Sequence, residues 1–158
     1  MSLTKLPIGL PGQLYRSPMP LSPLDPGGSL LAEYKDSGID LVVMLAGDEE
    51  AQRRTGHDLR QRYAQEGLDV LQFPIPDFGV PEDIEGLAAA LEEVITQASS
   101  GKNLAIHCYA GLGRTGMFAA LLAKRILQLS GEEALAWVRR HIPGAVETPE
   151  QIQLIHTL

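Results

Sequence analysis

Apolar and polar positions alternate along the chain in blocks that predict strands separated by helices. The segment IDLVVML is apolar and rich in β-branched residues, which is typical of a buried strand, and DVLQFPI and NLAIHC share this character. A shorter extended segment runs from Leu14 to Arg16. The stretches between them carry spaced apolar positions and predict helices over residues 30–36, 49–66, from Pro81 to near Gly101, 114–129, 132–141, and a last one opened by Thr148 and Pro149.

This order of elements predicts an α/β fold with three layers, in which helices flank a mainly parallel central sheet of four to five strands. The length of 158 residues fits one domain, residues 1–158, and the Pro- and Gly-rich residues 1–28 are expected to wrap across a face of it. In such sheets, ligands bind beyond the carboxyl ends of the strands. NLAIHC ends at Cys108, so this cysteine is expected at that edge, in a strand-to-helix turn.

The charge balance argues against two classes of partner. The net charge is −7 and most basic residues are scattered, so neither a nucleic acid nor an anionic membrane surface is an expected partner. One basic cluster comprises Arg53, Arg54, Arg60 and Arg62. A solvated helix face explains that cluster more simply than a guide for an acidic substrate.

Cysteine usage and hydropathy limit the compartment. A single cysteine excludes an internal disulfide, a C-x-x-C redox pair and a multi-thiolate zinc site. The longest apolar run is seven residues, Met117 to Ala123, and the first residues lack the pattern of a signal peptide. The histidines other than His107 show no spacing typical of a metal site. A cytoplasmic protein without a metal is therefore expected.

The segment HCYAGLGRTG carries the clearest chemical signal. Its GLGRTG part matches the G-x-G-x-x-G pattern of dinucleotide-binding loops, but helices follow it where a strand should, and it lacks the lysine of a P-loop. A strand-to-helix turn with little side-chain bulk exposes backbone N–H groups at a helix N-terminus, which suits a phosphate-sized anion. Arg114, six residues after Cys108, is placed to grip two anionic oxygens. A thiol in that field loses its proton readily and becomes a nucleophile.

HCYAGLGRTG resembles the H-C-x-x-G-x-x-R-[ST]-G signature of the cysteine-dependent protein tyrosine and dual-specificity phosphatases. The segments GQLYRSPMP, PIPDFGVP and GAVETPEQ resemble the small dual-specificity members, and HCYAGLGR is particularly similar to the kinase-associated phosphatase branch. The resemblance covers essentially the whole chain. It implies a phosphatase-type fold, with the catalytic loop at a strand-to-helix turn, and a reaction that needs no cofactor.

The resemblance also implies roles for the matching residues. Cys108 is the expected nucleophile, and Asp77 in PIPDFGVP is the expected general acid, preferred to the nearby Glu82 and Asp83. The loop has DFGVP where many members have DxxAP, which leaves its pose open. Thr115 either supports the thiolate or acts as an ordinary helix cap, and the two readings are compatible.

Two supporting residues and a loop complete the expected site. His107 is expected to order the loop through a backbone hydrogen bond, and Gln151 either positions a water molecule or simply begins the last helix. The phosphoryl oxygens are expected to bind the Arg114 side chain and the backbone of the turn, which consists of Tyr109, Ala110, Gly111, Leu112, Gly113 and Arg114.

These expectations favour a protein phosphatase that hydrolyses phosphotyrosine, with phosphoserine and phosphothreonine as further substrates, through a phosphocysteine intermediate. Its partners would be phosphorylated proteins or small phosphomonoesters, and the sequence indicates no oligomeric state. Phosphatases of phosphoinositides, inositol phosphates or RNA 5′-phosphates share the loop and remain alternatives, although the neutral residues 109–113 argue against highly charged substrates. A non-catalytic phosphoprotein-binding module is less favoured because Cys108, Arg114 and Asp77 are all present.

Overall fold

The computed structural model describes residues 3–158, so the first two residues of the expected N-terminal wrap lie outside it. Within this range the strands are β1 (Thr4–Leu6), β2 (Leu14–Ser17), β3 (Leu41–Met44), β4 (Asp69–Gln72) and β5 (Leu104–His107). The helices are α1 (Leu30–Asp36), α2 (Asp48–Thr55), α3 (Leu59–Gln65), α4 (Ile84–Ser99), α5 (Gly113–Ile126), α6 (Gly131–His141) and α7 (Pro149–Thr157).

The strands form one mainly parallel sheet, as the sequence predicts. Their order is β1-β2-β5-β3-β4, and only the β1–β2 pair is antiparallel. His107 at the end of β5 pairs with Ser17 of β2 on one side and Met44 of β3 on the other. The three central strands therefore end level, and the segments that leave them meet at one edge of the sheet.

Apolar side chains fill both faces of the sheet and make the fold three-layered. Val43 and Ile106 pack into one cluster with α4, α5, α6 and α7. Val42 and Ala105 point the other way and pack into a second cluster with α1, α2 and α3. Both faces of the central strands are buried, which explains their continuous apolar runs. Within residues 3–158, no helix has the length and apolar character needed to cross a membrane.

The structure corrects the helix predicted over residues 49–66. Two helices, α2 and α3, occupy this stretch because the chain turns at Gly56, whose φ of +75° is a left-handed conformation that favours glycine. Asp58 then caps α3 by accepting a hydrogen bond from the Gln61 N–H at 3.2 Å. The periodic spacing of apolar residues continues across the break, which is why the pattern alone predicts a single helix.

Two helix boundaries and the role of the N-terminal region also differ from prediction. Helix α4 begins at Ile84 with Asp83 as its N-cap, so Pro81 lies in the preceding loop. Helix α5 ends at Ile126, and Gln128 after it has a φ of +56°. The N-terminal region does more than cover a face, because β2 lies inside the sheet between β1 and β5.

Candidate active site

The cysteine loop, residues 108–113, connects β5 to α5 at the carboxyl edge of the sheet. Cys108 directly follows β5 and is 2% exposed, so it lies at the base of the loop. Helix α5 begins at Gly113, and among residues 3–158 no side chain caps its start. The first backbone N–H groups of α5 are thus available to an anionic ligand.

The glycines of GLGRTG are required by close packing. Gly111 has a φ of +75°, and a side chain there would collide with the backbone carbonyl of Ser17. A Cβ on Gly113 would strike the carboxylate of Glu147, and one on Gly116 would meet the segment that precedes α7 at 2.8 Å. The glycine pattern that mimics a dinucleotide-binding loop therefore reflects how tightly the cysteine loop is enclosed.

Arg114 is buried beneath the cysteine loop, with 1% of its side chain exposed. Its Nη1 donates to Glu50 Oε1 at 2.8 Å and to the Ile75 carbonyl at 3.0 Å. Its Nη2 donates to Glu50 Oε2 at 2.8 Å and lies 3.1 Å from Asp77 Oδ1. Its Nε has no hydrogen-bond partner among residues 3–158. A buried N–H without a partner is costly, and an anion bound in the loop would satisfy it.

Glu50 holds the Arg114 guanidinium through two parallel hydrogen bonds. Burial by itself would raise the pKa of Glu50, but the hydrogen bonds and charge of Arg114 lower it below the ordinary value. Burial likewise would lower the pKa of Arg114, whereas Glu50, Cys108 and Asp77 raise it. Both groups therefore stay charged, and the bidentate geometry fixes the plane of the guanidinium.

Asp77 is the acid that reaches Arg114. It lies in the acid loop, residues 76–81, within the segment between β4 and α4. Asp83 instead caps α4 by accepting a hydrogen bond from the Gly86 N–H at 2.8 Å, and Glu82 is exposed. The structure thus brings only Asp77, of the three acids considered, into contact with the guanidinium.

Arg54 belongs to the site, contrary to the expectation that the basic cluster is only a solvated helix face. Its guanidinium carbon lies 3.9 Å from the centre of the Tyr109 ring, and its Nη2 lies 3.4 Å from Asp77 Oδ2. The neighbouring Arg53 and Arg60 are exposed. Glu50 and Arg54 are four residues apart on α2, so one helix face supplies both side chains to the site.

His107 is buried and uncharged, and both of its ring nitrogens form hydrogen bonds. Its Nδ1 lies 2.9 Å from the Cys108 carbonyl, and its Nε2 lies 2.7 Å from the Tyr63 hydroxyl. Burial, with a smaller contribution from Arg114, lowers the pKa of His107 to about 4, and burial raises the pKa of Tyr63 well above its ordinary value. A carbonyl only accepts, so Nδ1 carries the proton and Nε2 accepts from the phenol.

Thr115 and Gln151 are both fully buried but differ in their partners. The Thr115 hydroxyl has no hydrogen-bond partner in the described part of the chain. The Gln151 Oε1 accepts from the Glu147 N–H at 2.9 Å, and its Nε2 donates to the Gly79 carbonyl in the acid loop at 3.2 Å. The Gln151 amide thus connects α7 to the acid loop in this conformation.

Sequence reasoning missed Glu50 and Arg54 as site residues and gave no role to Arg16. Glu50 lies in the first turn of a helix, where an acid is ordinarily explained by the helix dipole. Its position just after a buried strand, at the edge where ligands bind, was the available signal. For Arg16, the signal was a charged residue inside an otherwise buried extended segment. Residues 3–158 contain no group of three or more His, Cys, Asp or Glu side chains placed to hold a metal ion.

Comparison with protein families places most of this architecture in a known group. The family described as cyclin-dependent kinase inhibitor 3 matches residues 30–135. The mouse protein of that name is 32% identical over 125 residues, which cover 78% of this chain and 59% of the mouse protein. The chain thus spans about three fifths of the length of this relative. Rat receptor-type tyrosine-protein phosphatase V is 38% identical over 119 residues, covering 68% of this chain and 7% of that protein.

Solved structures share the fold. Tk-PTP in its active form is 34% identical with a TM-score of 0.79, over 96% of this chain and 93% of that one. Kinase-associated phosphatase with serine in place of its catalytic-site cysteine is 25% identical with a TM-score of 0.87, over 98% of this chain and 91% of that one. The fold is therefore that of these phosphatases.

Proposed function

Because the chain belongs to the cyclin-dependent kinase inhibitor 3 family, among the cysteine-dependent dual-specificity phosphatases, we propose that it hydrolyses phosphotyrosine, phosphoserine and phosphothreonine monoesters of proteins. One observation carries the proposal: Arg114 lies next to the cysteine loop and contacts Asp77 at 3.1 Å. A nucleophile, an anion-binding group and an acid thus meet at one edge of the sheet.

Substrate binding uses the donors that the protein leaves free. The phosphoryl oxygens accept hydrogen bonds from the backbone N–H groups of the cysteine loop and from the unpartnered Arg114 Nε. One oxygen also replaces Asp77 at Arg114 Nη2, because a carboxyl group that is protonated to act as an acid loses its ion pair with the guanidinium. Glu50 keeps the guanidinium in plane throughout this exchange.

The first chemical step transfers the phosphoryl group to the protein. The Cys108 thiolate attacks phosphorus, the bond from phosphorus to the ester oxygen breaks, and Asp77 donates its proton to the departing oxygen. The products of this step are the free hydroxyl group of the substrate and a phosphocysteine. The buried Thr115 hydroxyl has no partner among residues 3–158 in this structure, and we expect it to donate a hydrogen bond to the Cys108 sulfur during the reaction.

The second step releases phosphate. The Asp77 carboxylate takes a proton from water, the water oxygen bonds to phosphorus, and the sulfur–phosphorus bond breaks to return the thiolate. Neither step uses a metal ion. His107 takes no proton in either step, because its neutral ring is held between Tyr63 and the Cys108 carbonyl.

The rim of the site favours a phosphorylated side chain over a highly charged small molecule. Phe78, next to Asp77, is 59% exposed with a φ of +60°, and the Tyr109 ring stacks against Arg54. Two aromatic rings at the rim suit the ring of phosphotyrosine. Residues 108–113 of the cysteine loop include no basic side chain that would bind additional phosphates.

The test is hydrolysis of an aryl phosphate in the presence of EDTA, with the intact reduced protein and the Cys108→Ser variant. We expect turnover by the intact protein, none by the variant, and a phosphorylated protein on rapid acid quench of the intact enzyme. Absence of turnover by folded, reduced protein between pH 5 and 7.5 would contradict the proposal and favour a binding module.

The substrate class is tested on the same preparation. A phosphotyrosine peptide, a phosphothreonine peptide, an inositol phosphate and a 5′-phosphorylated RNA are compared by kcat/KM. We expect the phosphotyrosine peptide to have the highest kcat/KM, and a higher kcat/KM for inositol phosphate or RNA would replace the protein substrate with that class.

The need for a reduced Cys108 thiolate supports a cytoplasmic location.

A further inference from the structure

Every carbonyl oxygen from Cys108 to Leu112 has a hydrogen-bond donor. The Cys108 carbonyl faces the His107 Nδ1 at 2.9 Å. The Leu112 carbonyl accepts from the N–H groups of Gly116 at 2.9 Å and Val146 at 3.1 Å. The three carbonyls between them accept from a distant segment, residues 16–19, which forms the end of β2 and the turn after it.

Arg16 supplies two of these three hydrogen bonds. Its Nη2 donates to the Ala110 carbonyl at 2.9 Å and its Nε donates to the Gly111 carbonyl at 3.0 Å. The Met19 N–H donates to the Tyr109 carbonyl at 2.7 Å. The planar guanidinium thus spans two successive peptide groups, which a lysine ammonium does not reproduce.

The direction of these carbonyls sets the direction of the neighbouring N–H groups. In a trans peptide the C=O and N–H of one peptide plane point in opposite directions. When the carbonyls of residues 109–111 turn toward Arg16 and Met19, the N–H groups of Ala110, Gly111 and Leu112 turn to the opposite side of the loop. These are the groups that the proposed phosphoryl site requires.

The burial of Arg16 has no explanation in ion pairing. The side chain is 8% exposed, and it forms no salt bridge with a carboxylate in the described range. Burial lowers the pKa of Arg16, while the negative charge that Cys108 carries when ionised acts to raise it. Gly111 leaves room for this arrangement, because a Cβ there would also crowd the Arg16 guanidinium.

We propose that Arg16 is a positioning residue of the active site, which turns the backbone N–H groups of the cysteine loop toward the phosphoryl oxygens and adds positive charge behind them. The inference rests on the proposed phosphatase function for its meaning in catalysis. Its structural part, the preorganisation of an oxyanion site, is tested by binding alone.

The experiment measures tungstate binding by calorimetry, together with thermal unfolding, for Arg16→Met and Arg16→Lys in the Cys108→Ser background. Tungstate is a tetrahedral oxyanion that needs the N–H groups but no chemistry. We expect Arg16→Met to weaken tungstate binding roughly 10- to 100-fold, and Arg16→Lys to recover part of the loss. In the intact enzyme, kcat/KM for an aryl phosphate falls by at least the same factor.

Lys124→Met is the matched control. Lys124 also donates to two backbone carbonyls, those of Ile155 at 2.6 Å and His156 at 3.3 Å, but on α7. We expect this variant to lose thermal stability while it keeps the tungstate affinity of the parent. A purely structural role for Arg16 would give the same result as the control and would overturn the proposal.

The outcomes separate the inference from the proposed function. If the parent binds tungstate, Arg16→Met does not, and the intact protein lacks turnover, the positioning role stands and the phosphatase proposal fails. If the intact protein turns over substrate and a folded Arg16→Met or Arg16→Lys variant binds tungstate as the parent does, the positioning role fails alone. If Arg16→Met does not fold, Arg16→Lys decides, because full tungstate affinity in that variant contradicts a need for the planar fork.

Discussion

At the residue scale, the two hydrogen bonds with Glu50 set the orientation of the Arg114 guanidinium. These two hydrogen bonds of 2.8 Å occupy one edge of the guanidinium, so the Nε remains for an anion. A buried pair of this kind adds little net stability, but loss of one partner leaves the other charge uncompensated. Glu50 therefore contributes more by orienting the Arg114 guanidinium than by stabilising the fold.

Replacement of Glu50 by glutamine tests this orientation. We expect Glu50→Gln to lower kcat/KM for an aryl phosphate roughly 10- to 100-fold and to reduce the free energy of unfolding by about 1–3 kcal/mol. Steady-state kinetics and chemical denaturation measure the two effects. Asp48→Asn is the control, because Asp48 lies on the same helix but pairs with the exposed Arg60, and such exposed pairs contribute about 1 kcal/mol or less. Equal activity losses in both variants would rule out a specific role for Glu50.

The residues of the site divide into those that a local motif predicts and those that only the fold reveals. Cys108 and Arg114 are six residues apart, and the proposed chemistry requires this short spacing, so the motif points to both residues together. Glu50 and Arg16 reach the same place from 64 and 95 residues away. The local sequence around Glu50 and Arg16 does not identify the residues that they contact, because these contacts depend on the strand order β2-β5-β3.

At the element scale, α7 controls the acid loop through Gln151. Its Oε1 is occupied by the backbone before α7, and its Nε2 holds the Gly79 carbonyl at 3.2 Å, two residues beyond Asp77. The residue considered for water positioning is thus engaged with the loop that carries the acid. A positioning role through Asp77 and a direct role on water predict different kinetic defects.

Gln151→Ala separates these two roles. If Gln151 holds the acid loop, Asp77 is displaced for both steps, so kcat falls while the fraction of phosphocysteine stays close to that of the intact protein. If it positions water, the second step slows, and a pre-steady-state burst of released alcohol appears with accumulated phosphocysteine. We expect the first result, with kcat lowered about tenfold or more and tungstate affinity nearly unchanged, measured by rapid quench and calorimetry. A burst that the intact protein lacks would contradict it.

The break between α2 and α3 shows the limit of periodicity as a predictor. Apolar spacing is compatible with one helix over residues 49–66, yet Gly56 ends α2 and Asp58 starts α3. Glycine and an N-cap residue two positions apart were the local signals of the break. By contrast, the capping box of Thr148 and Gln151 with Pro149 made the start of α7 predictable to the residue.

At the scale of the whole molecule, a buried histidine and a half-buried glutamate make stability depend on pH. His107 has a pKa of about 4 in the fold against an ordinary 6.5, and Glu50 has a lowered pKa. Between pH 4 and pH 6.5, His107 takes up a proton more readily in the unfolded chain than in the fold. The contribution of His107 to stability is therefore complete above pH 6.5 and is lost as pH falls toward 4. The contribution of Glu50 is lost at lower pH, below its ordinary pKa of 4.5.

We therefore expect the free energy of unfolding to fall between pH 7 and pH 4.5, by an amount approaching about 3 kcal/mol from His107. Urea denaturation at a series of pH values measures this slope. His107→Gln should flatten it, whereas His57→Gln, which replaces an exposed histidine, should leave it unchanged. A slope that persists in full in His107→Gln would show that other groups produce it.

The fold class was predictable because alternating strands and helices permit few arrangements. The antiparallel β1 and the place of β2 inside the sheet were not, since three or four residues among prolines and glycines carry little pattern. Of these two strands, β2 also supplies Arg16 to the site.

The donation from Arg16 to Gly111 has a consequence for biosynthesis. The ribosome adds about 5–20 residues per second, so Arg16 is made roughly 5–20 s before the carbonyl it holds, 95 residues later. During that time its guanidinium stays hydrated, and β2 has no β5 to pair with. Under the proposed function, the nascent chain therefore stays inactive until β5 and the cysteine loop have emerged, however early its first helices form.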